Sequence, residues 1–368
     1  MSLDLNKGIK YAYDDICVVP AEISRISSRK EINPYTEDGY LPLFTAPMST
    51  VVDCNNFELF ENNKINAIIP RNIPFDERKQ KIITSMTWVA VSLDEFINLF
   101  LVDQVLISNA RVLIDIANGH MLKLFEAVRA VKDLYGSSLE IMIGNIANPL
   151  TYKEVYRCGA DYVRCSIGSG SCCITASNTA VTYPQASLID EIYKIKKEIY
   201  RESNGQLKWK DLPKIIADGG IRNYSDIIKA LVLGADYVMI GGLFGKMLES
   251  AASKEYSYGE GSKLLNITSS EVEWRNGSFW HNGREVSICS LMYGMASKKG
   301  KEDLGLAKGT AEGIEKTVKI EYTMKGWTDN FTDYLRSAMS YTNSKELDDL
   351  RHATAVLVSP FAKQAINK

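Results

Sequence analysis

The residues of this chain best suited to chemistry lie in one short stretch, Gly168-Ser169-Gly170-Ser171-Cys172-Cys173-Ile174-Thr175, directly after the apolar run 162–167. Glycines at alternate positions let backbone amides close on an anion, and Ser171 adds a hydroxyl donor. The stretch reads as a phosphate cradle joined to a nucleophile. Cys173 attacks as a thiolate if a nearby positive potential favours that form. Cys172, its neighbour, is assigned the commoner fate of a cysteine, a buried inert thiol. Thr175 and Glu312 are candidates for a hydroxyl–carboxylate proton relay, although the sequence alone does not bring them together. A Gly/Ser turn beside cysteines is also what a plain loop looks like, so the surrounding residues must decide.

Two further glycine pairs end apolar runs. Asp218-Gly219-Gly220 and Gly241-Gly242 supply amides, and the Asp218 carboxylate can accept both hydroxyls of a ribose. With Ser171 they can surround one ribose phosphate. An isolated Asp-Gly-Gly is usually a turn. Its weight here comes from position, because phosphate sites recur at the ends of the last two strands of a (β/α)8 barrel.

The elements that must position these residues follow from eight short apolar runs, at 43–46, 65–69, 88–92, 112–117, 139–143, 162–167, 214–217 and 237–240. Continuous rather than alternating apolar runs suit parallel strands buried on both faces. Helices are expected at 56–62, 74–84, 93–102, 120–135, 149–158, 185–203 and 225–233, with Pro149 and Ser225 as helix-start residues. The fold class is therefore α/β, a TIM barrel occupying residues 1–368 as a single catalytic domain. Ser49, Arg71, Ser92, Asp115, Asn118 and Asn145 then join the glycine loops at strand ends, which share one face in this fold. A doubly wound sheet would not gather residues from all eight strand ends.

A long excursion follows the eighth run, at about residues 250–328. Asn276-Gly277 and Asn282-Gly283 are hairpin turns between strands at 271–274 and 279–286. The polar segment 298–308 has the composition of a mobile flap. A last barrel helix is expected at 330–341, then a helix at 344–350 and a strand at 355–358.

Composition narrows the function. The chain has 368 residues, is 45% hydrophobic and carries net charge −2, which gives no basic excess for nucleic acid. No stretch has the length of a membrane span, and the first ten residues carry no targeting pattern, so a cytoplasmic protein is expected. Seven cysteines without zinc-type spacing read as reduced thiols, and three histidines leave little for histidine-based chemistry.

The ordered set Tyr13-Asp14-Asp15-Ile16, Ala46-Pro47-Met48, Asp115-Ile116-Ala117-Asn118-Gly119, Gly144-Asn145-Ile146, the cysteine loop, Tyr183-Pro184-Gln185, Asp218-Gly219-Gly220, Tyr293-Gly294-Met295 and Glu312-Gly313 resembles the IMP dehydrogenase/GMP reductase family over nearly the whole chain. The resemblance implies a purine nucleoside monophosphate, with Cys173 attacking carbon 2 and a nicotinamide dinucleotide, NADPH or NAD, exchanging hydride there. It places Ser171, Asp218, Gly219, Gly220, Gly241, Gly242, Tyr293, Gly294 and Met295 on the nucleotide. Asp115, Asn118, Asn145, Arg71 and Ser92 fall on the cofactor side. It also implies a monovalent cation, usually K+, on the carbonyls of Gly168, Gly170 and Cys173, and a homotetramer.

Within the family, three features resemble GMP reductase: Gly242 in place of a serine, no inserted regulatory domain between Ile69 and Trp88, and no Arg-Tyr pair in 298–308 to activate water. The expected reaction is GMP plus NADPH to IMP, ammonia and NADP. IMP dehydrogenase is the alternative. Ser49, Arg71, Ala176 and Ala296 depart from both patterns, which leaves a modified purine open; Gly309 stands where reductases tend to have a base-side arginine, with Lys308 as its substitute. A nucleotide-binding pseudoenzyme is the reading from another class; it would not need Cys173, Thr175 and Glu312.

Overall fold

The structure, a computed structural model, describes residues 8–259, 262–306, 309–360 and 362–363; Lys308 lies outside them. Eight parallel strands form one sheet: β1 (Leu43–Thr45), β2 (Ile68–Ile69), β3 (Trp88–Val91), β4 (Ala110–Ile114), β5 (Leu139–Ile146), β6 (Tyr162–Cys165), β7 (Lys214–Asp218) and β8 (Tyr237–Ile240). β1 pairs with β8, and Phe44 bridges Asn66 just ahead of β2, which closes the sheet into the expected (β/α)8 barrel. Each of the eight apolar runs overlaps one of these strands.

The continuous apolar runs have a simple cause. One set of side chains, including Phe44, Trp88, Leu113, Met142, Tyr162 and Tyr237, fills the barrel interior, where Phe44 meets Trp88, Tyr162 and Tyr237 at ring separations of 5.7, 6.1 and 5.0 Å. The alternate set, including Val89, Val112, Ile141, Val163 and Ile215, packs outward beneath the helices. Helix Gln185–Glu202 shows the matching stripe, burying Leu188, Ile189 and Ile192.

Helix boundaries differ from the sequence reading where side chains intervene. Asn223, not Ser225, starts helix Tyr224–Val232, because its side chain accepts from the Asp226 amide at 3.1 Å. The segment expected as one helix at 93–102 is Leu93–Ile97 followed by a π-helical turn, Asn98–Val102. The last barrel helix begins earlier, at Met324, capped by Thr323; Gly326 and Thr328 had weakened its signal. The helix expected at 344–350 is a 3₁₀ segment, Leu347–His352, since the Asp349 carboxylate takes the Lys345 and Glu346 amides at 2.9 and 3.0 Å.

The excursion after β8 is an antiparallel sheet of β9 (Lys254–Ser257), β10 (Glu273–Arg275), β11 (Ser278–His281), β12 (Arg284–Tyr293) and β13 (Glu315–Lys319). Asn276-Gly277 and Asn282-Gly283 turn the hairpins with φ of +50° and +81°, and +49° and +72°. The flap between β12 and β13 opens with a short helix, Lys298–Asp303, capped by Ser297. The C-terminal strand Thr354–Leu357 pairs with Ile16–Val19, outside the barrel. No helix among the described residues is long and apolar enough to cross a membrane.

Candidate active site

The cysteine loop leaves the C-terminal end of β6 and is held from two sides. Within it, the Cys173 amide donates to the Gly170 carbonyl at 2.9 Å. Across from it, the end of the flap lies antiparallel: the Ile174 amide donates to the Glu312 carbonyl at 2.9 Å, and the Ile314 amide to the Cys172 carbonyl at 2.9 Å. Gly313 permits this approach, because a Cβ there would stand 3.0 Å from the Cys172 carbonyl oxygen. The pairing brings Glu312 over the loop. Thr175 donates its hydroxyl to Glu312 Oε2 at 2.8 Å, and the Cys173 sulfur stands 3.3 Å from Thr175 Oγ1.

The two cysteines differ in environment, and Cys172 has the buried one expected of it. Cys173 is half-buried at the barrel mouth. Cys172 is buried against Met292 and Val318, and that burial pushes its thiol up from its ordinary value against the pull of Lys316.

Asp218, at the end of β7, is tied into a buried charge network. Its Oδ2 receives Asn145 Nδ2 at 2.6 Å and Arg164 Nε at 3.0 Å, which leaves Oδ1 unbonded among the described residues. Arg164 sits on β6 and is only 8% exposed, with Nη1 donating to Asp115 Oδ1 at 2.7 Å. Burial alone would pull the guanidinium pKa down; the two carboxylates reverse this and hold it raised. Gly144 on β5 makes room, since a Cβ there would meet the Arg164 Cβ at 2.6 Å. Sequence reasoning did not single out Arg164. Its signal was a lone charge inside an apolar run, in phase with the inward-facing Tyr162.

The glycine loops converge as expected. The Gly220 amide donates to the Ser169 carbonyl at 3.0 Å, and Ser169 Oγ to the Asp218 carbonyl at 3.2 Å, tying the Asp218 loop to the cysteine loop. At Gly242 a Cβ would stand 2.9 Å from Ser171 Oγ, and at Gly241 2.7 Å from the Met48 sulfur. Tyr293, at the end of β12, instead donates its hydroxyl to Asp303 at 2.7 Å; burial first, then that carboxylate, pushes its pKa up to about 12. Ser49 Oγ lies 3.4 Å from the same carboxylate oxygen, and Gly294 and Met295 back the short flap helix at Gly300.

The residues expected on the cofactor side are spread more widely. Arg71 Nη1 donates to the Asp115 carbonyl at 3.1 Å, while Arg71 Nε and Asn72 Oδ1 are buried without partners among the described residues. Asn118 Oδ1 accepts from the His120 amide at 3.0 Å. Ser92 caps helix Leu93–Ile97, its Oγ taking the Glu95 amide at 3.1 Å.

The chain matches the family model for the IMP dehydrogenase / GMP reductase domain over residues 102–364. It is 27% identical to a GMP reductase of Mycoplasma mycoides over 366 residues, 95% of this chain and 98% of that one. A GMP reductase of Caenorhabditis elegans is 31% identical over 252 residues, 67% of this chain and 59% of the relative. An inosine-5'-monophosphate dehydrogenase of Rhodopirellula baltica is 29% identical over 247 residues, 65% of this chain and 39% of that protein. With a closed barrel, a cysteine loop at the end of its sixth strand and a family match over most of its length, the chain belongs to the IMP dehydrogenase / GMP reductase family of NAD(P)-dependent purine nucleotide oxidoreductases.

Proposed function

We propose that the protein is a GMP reductase that converts GMP and NADPH to IMP, ammonia and NADP through a covalent intermediate on Cys173. The observation that carries the covalent chemistry is the chain of contacts from the Cys173 sulfur through Thr175 to Glu312, at 3.3 and 2.8 Å, and the direction rests on segment 298–308, whose sequence has no Arg-Tyr pair to activate water. On attack, the thiol proton passes through Thr175 to Glu312, and sulfur bonds to carbon 2, placing negative charge on N3. An amine leaves only once protonated, so Glu312 returns the proton through Thr175 to the amine nitrogen, the C2–N bond breaks, and ammonia departs as C2=N3 re-forms. NADPH, when bound, supplies the hydride that reduces carbon 2. Expulsion of the Cys173 thiolate then restores C2=N3 and gives IMP.

The remaining residues take supporting roles in this reading. Asp218 Oδ1 accepts the ribose hydroxyls, and Ser171, Gly219, Gly220, Gly241 and Gly242 hold the phosphate, with Tyr293, Gly294 and Met295 closing over the nucleotide. The cofactor side fits a carboxamide, because Arg71 Nε is a buried donor and Asn72 Oδ1 a buried acceptor, both unpartnered. Asp115, Asn118, Asn145, Arg71 and Ser92 would line that side. A monovalent cation, K+, would use the carbonyls of Gly168, Gly170 and Cys173, taking the second lone pair of the Gly170 oxygen, whose first receives the Cys173 amide. We take the whole chain as one catalytic domain working as a homotetramer, and its free cysteines suit the reducing cytoplasm.

IMP dehydrogenase is the second reading, favoured by one observation: the hydrogen-bonded Thr175–Glu312 pair, at 2.8 Å, would also serve to take a proton from water. The covalent step separates an enzyme from a binding protein. Incubated with GMP and no reductant, the protein should release ammonia and gain a nucleotide adduct at Cys173 by mass spectrometry. Neither ammonia nor adduct would remove the mechanism.

A further inference from the structure

The proposed phosphate cradle contains only neutral donors: the Ser171 hydroxyl and the amides around Gly219, Gly220, Gly241 and Gly242. A phosphomonoester carries about −1.5 to −2 charges at neutral pH. Hydroxyls and amides orient such a group but leave its charge to be met by something else. The excursion brings Lys316 to this corner, where its Nζ donates to the Ser171 carbonyl at 3.3 Å.

The direction of Lys316 follows from sheet register. On β13 it stands opposite Met292 of β12, and cross-strand partners project from the same face. Met292 is 1% exposed and is directed at Gly245, just beyond β8, where a Cβ would stand 2.3 Å from its sulfur. Lys316 is therefore directed at the barrel corner where Ser171 meets Gly242. Its influence reaches inward, as the pull on the Cys172 thiol shows. Among the described residues its one hydrogen bond is to a neutral carbonyl, and no carboxylate pairs with it. An ammonium has three donors, so two remain for phosphate oxygens.

We propose that Lys316 is the cation of the phosphate subsite and makes the site select a nucleoside 5′-monophosphate over the free nucleoside. This rests on the reading that the glycine loops hold a phosphate, but not on the identity of the base. Neither the cysteine chemistry nor the ribose carboxylate depends on it.

The test is calorimetric binding of GMP, guanosine and ribose 5-phosphate to wild type, Lys316→Met and Lys316→Arg, with Lys316→Gln as a second neutral variant should Lys316→Met fold poorly. The neutral variants should bind GMP and ribose 5-phosphate about tenfold more weakly, the size expected for one charge-assisted contact at a partly exposed site. Guanosine should bind them as it binds wild type, Lys316→Arg should recover most of the loss, and added salt should weaken phosphate binding less in the neutral variants. If the neutral variants keep the full wild-type preference for GMP over guanosine, the proposal is overturned while the GMP reading stands. If ribose 5-phosphate needs Lys316 but GMP does not bind, the proposal stands and the GMP reading fails.

Discussion

Thr175 donates its hydroxyl to Glu312 Oε2 at 2.8 Å across 137 residues of chain. Two backbone hydrogen bonds between the flap end and the cysteine loop fix the pair, so the bond does not rely on two long side chains finding each other. A carboxylate held this way can store the proton of a neighbouring thiol and return it. The proposed mechanism needs that capacity, and a site that merely binds nucleotide would not.

Cys173→Ala should abolish turnover while calorimetric nucleotide affinity survives, because the cradle does not use the sulfur. Cys172→Ala should remain active but lose roughly 1 kcal/mol of unfolding free energy, from the packing its buried side chain makes with Met292 and Val318. Activity in Cys173→Ala would show that the nucleophile lies elsewhere.

Glu312→Gln keeps the shape of the relay and removes its base. Turnover should fall by about 10²- to 10⁴-fold, the usual worth of general acid–base catalysis, with little change in nucleotide affinity. Thr175→Val should act in the same direction, and Thr175→Ser should restore activity. Wild-type rates in both Glu312→Gln and Thr175→Val would mean that the proton travels by another route.

Arg164 separates two carboxylates that would otherwise face each other. Arg164→Met should cost about 3–5 kcal/mol in denaturant unfolding, because Asp115 and Asp218 lose their buried counter-charge, and Arg164→Lys should recover part of it. Asp218→Ala should weaken nucleotide binding by about 1.5–3 kcal/mol, measured by calorimetry. Unchanged affinity in Asp218→Ala would place the ribose elsewhere.

His120 gives the fold a pH dependence of defined sign. Its Nε2 accepts from the Ala147 amide at 3.1 Å, and burial lowers its pKa below the ordinary value of 6.5. Between the folded and unfolded values the unfolded chain binds more protons, so stability should fall as pH drops through about 6.5 and level off below the folded value. His120→Gln should flatten that part of the profile in chemical denaturation at stepped pH. An unchanged slope in the variant would assign it to another group.

The barrel was legible in the sequence because strands buried on both faces leave continuous apolar runs, and hydrophobic continuity survives without knowledge of tertiary contacts. The contents of the cysteine loop were legible for a similar reason: glycine, serine and cysteine at fixed spacing state their chemistry locally. Arg164 was hidden by the run that revealed β6, since attention to hydrophobicity passed over the one charge inside it. Its meaning depends on Asp115 and Asp218, which come from other strands. The Ile16–Val19 strand and Lys316 were illegible on the same grounds, for each acquires its role from a partner far away in sequence. Asn223 and Ser225 are equally good caps by residue type, and only the backbone geometry at Asn223 chose between them.

The direction of hydride transfer separates a GMP reductase from an IMP dehydrogenase. Purified protein should oxidise NADPH only when GMP is present, releasing ammonia in equal amount and accumulating IMP. Reduction of NAD in the presence of IMP, with no reaction of GMP and NADPH, would contradict it.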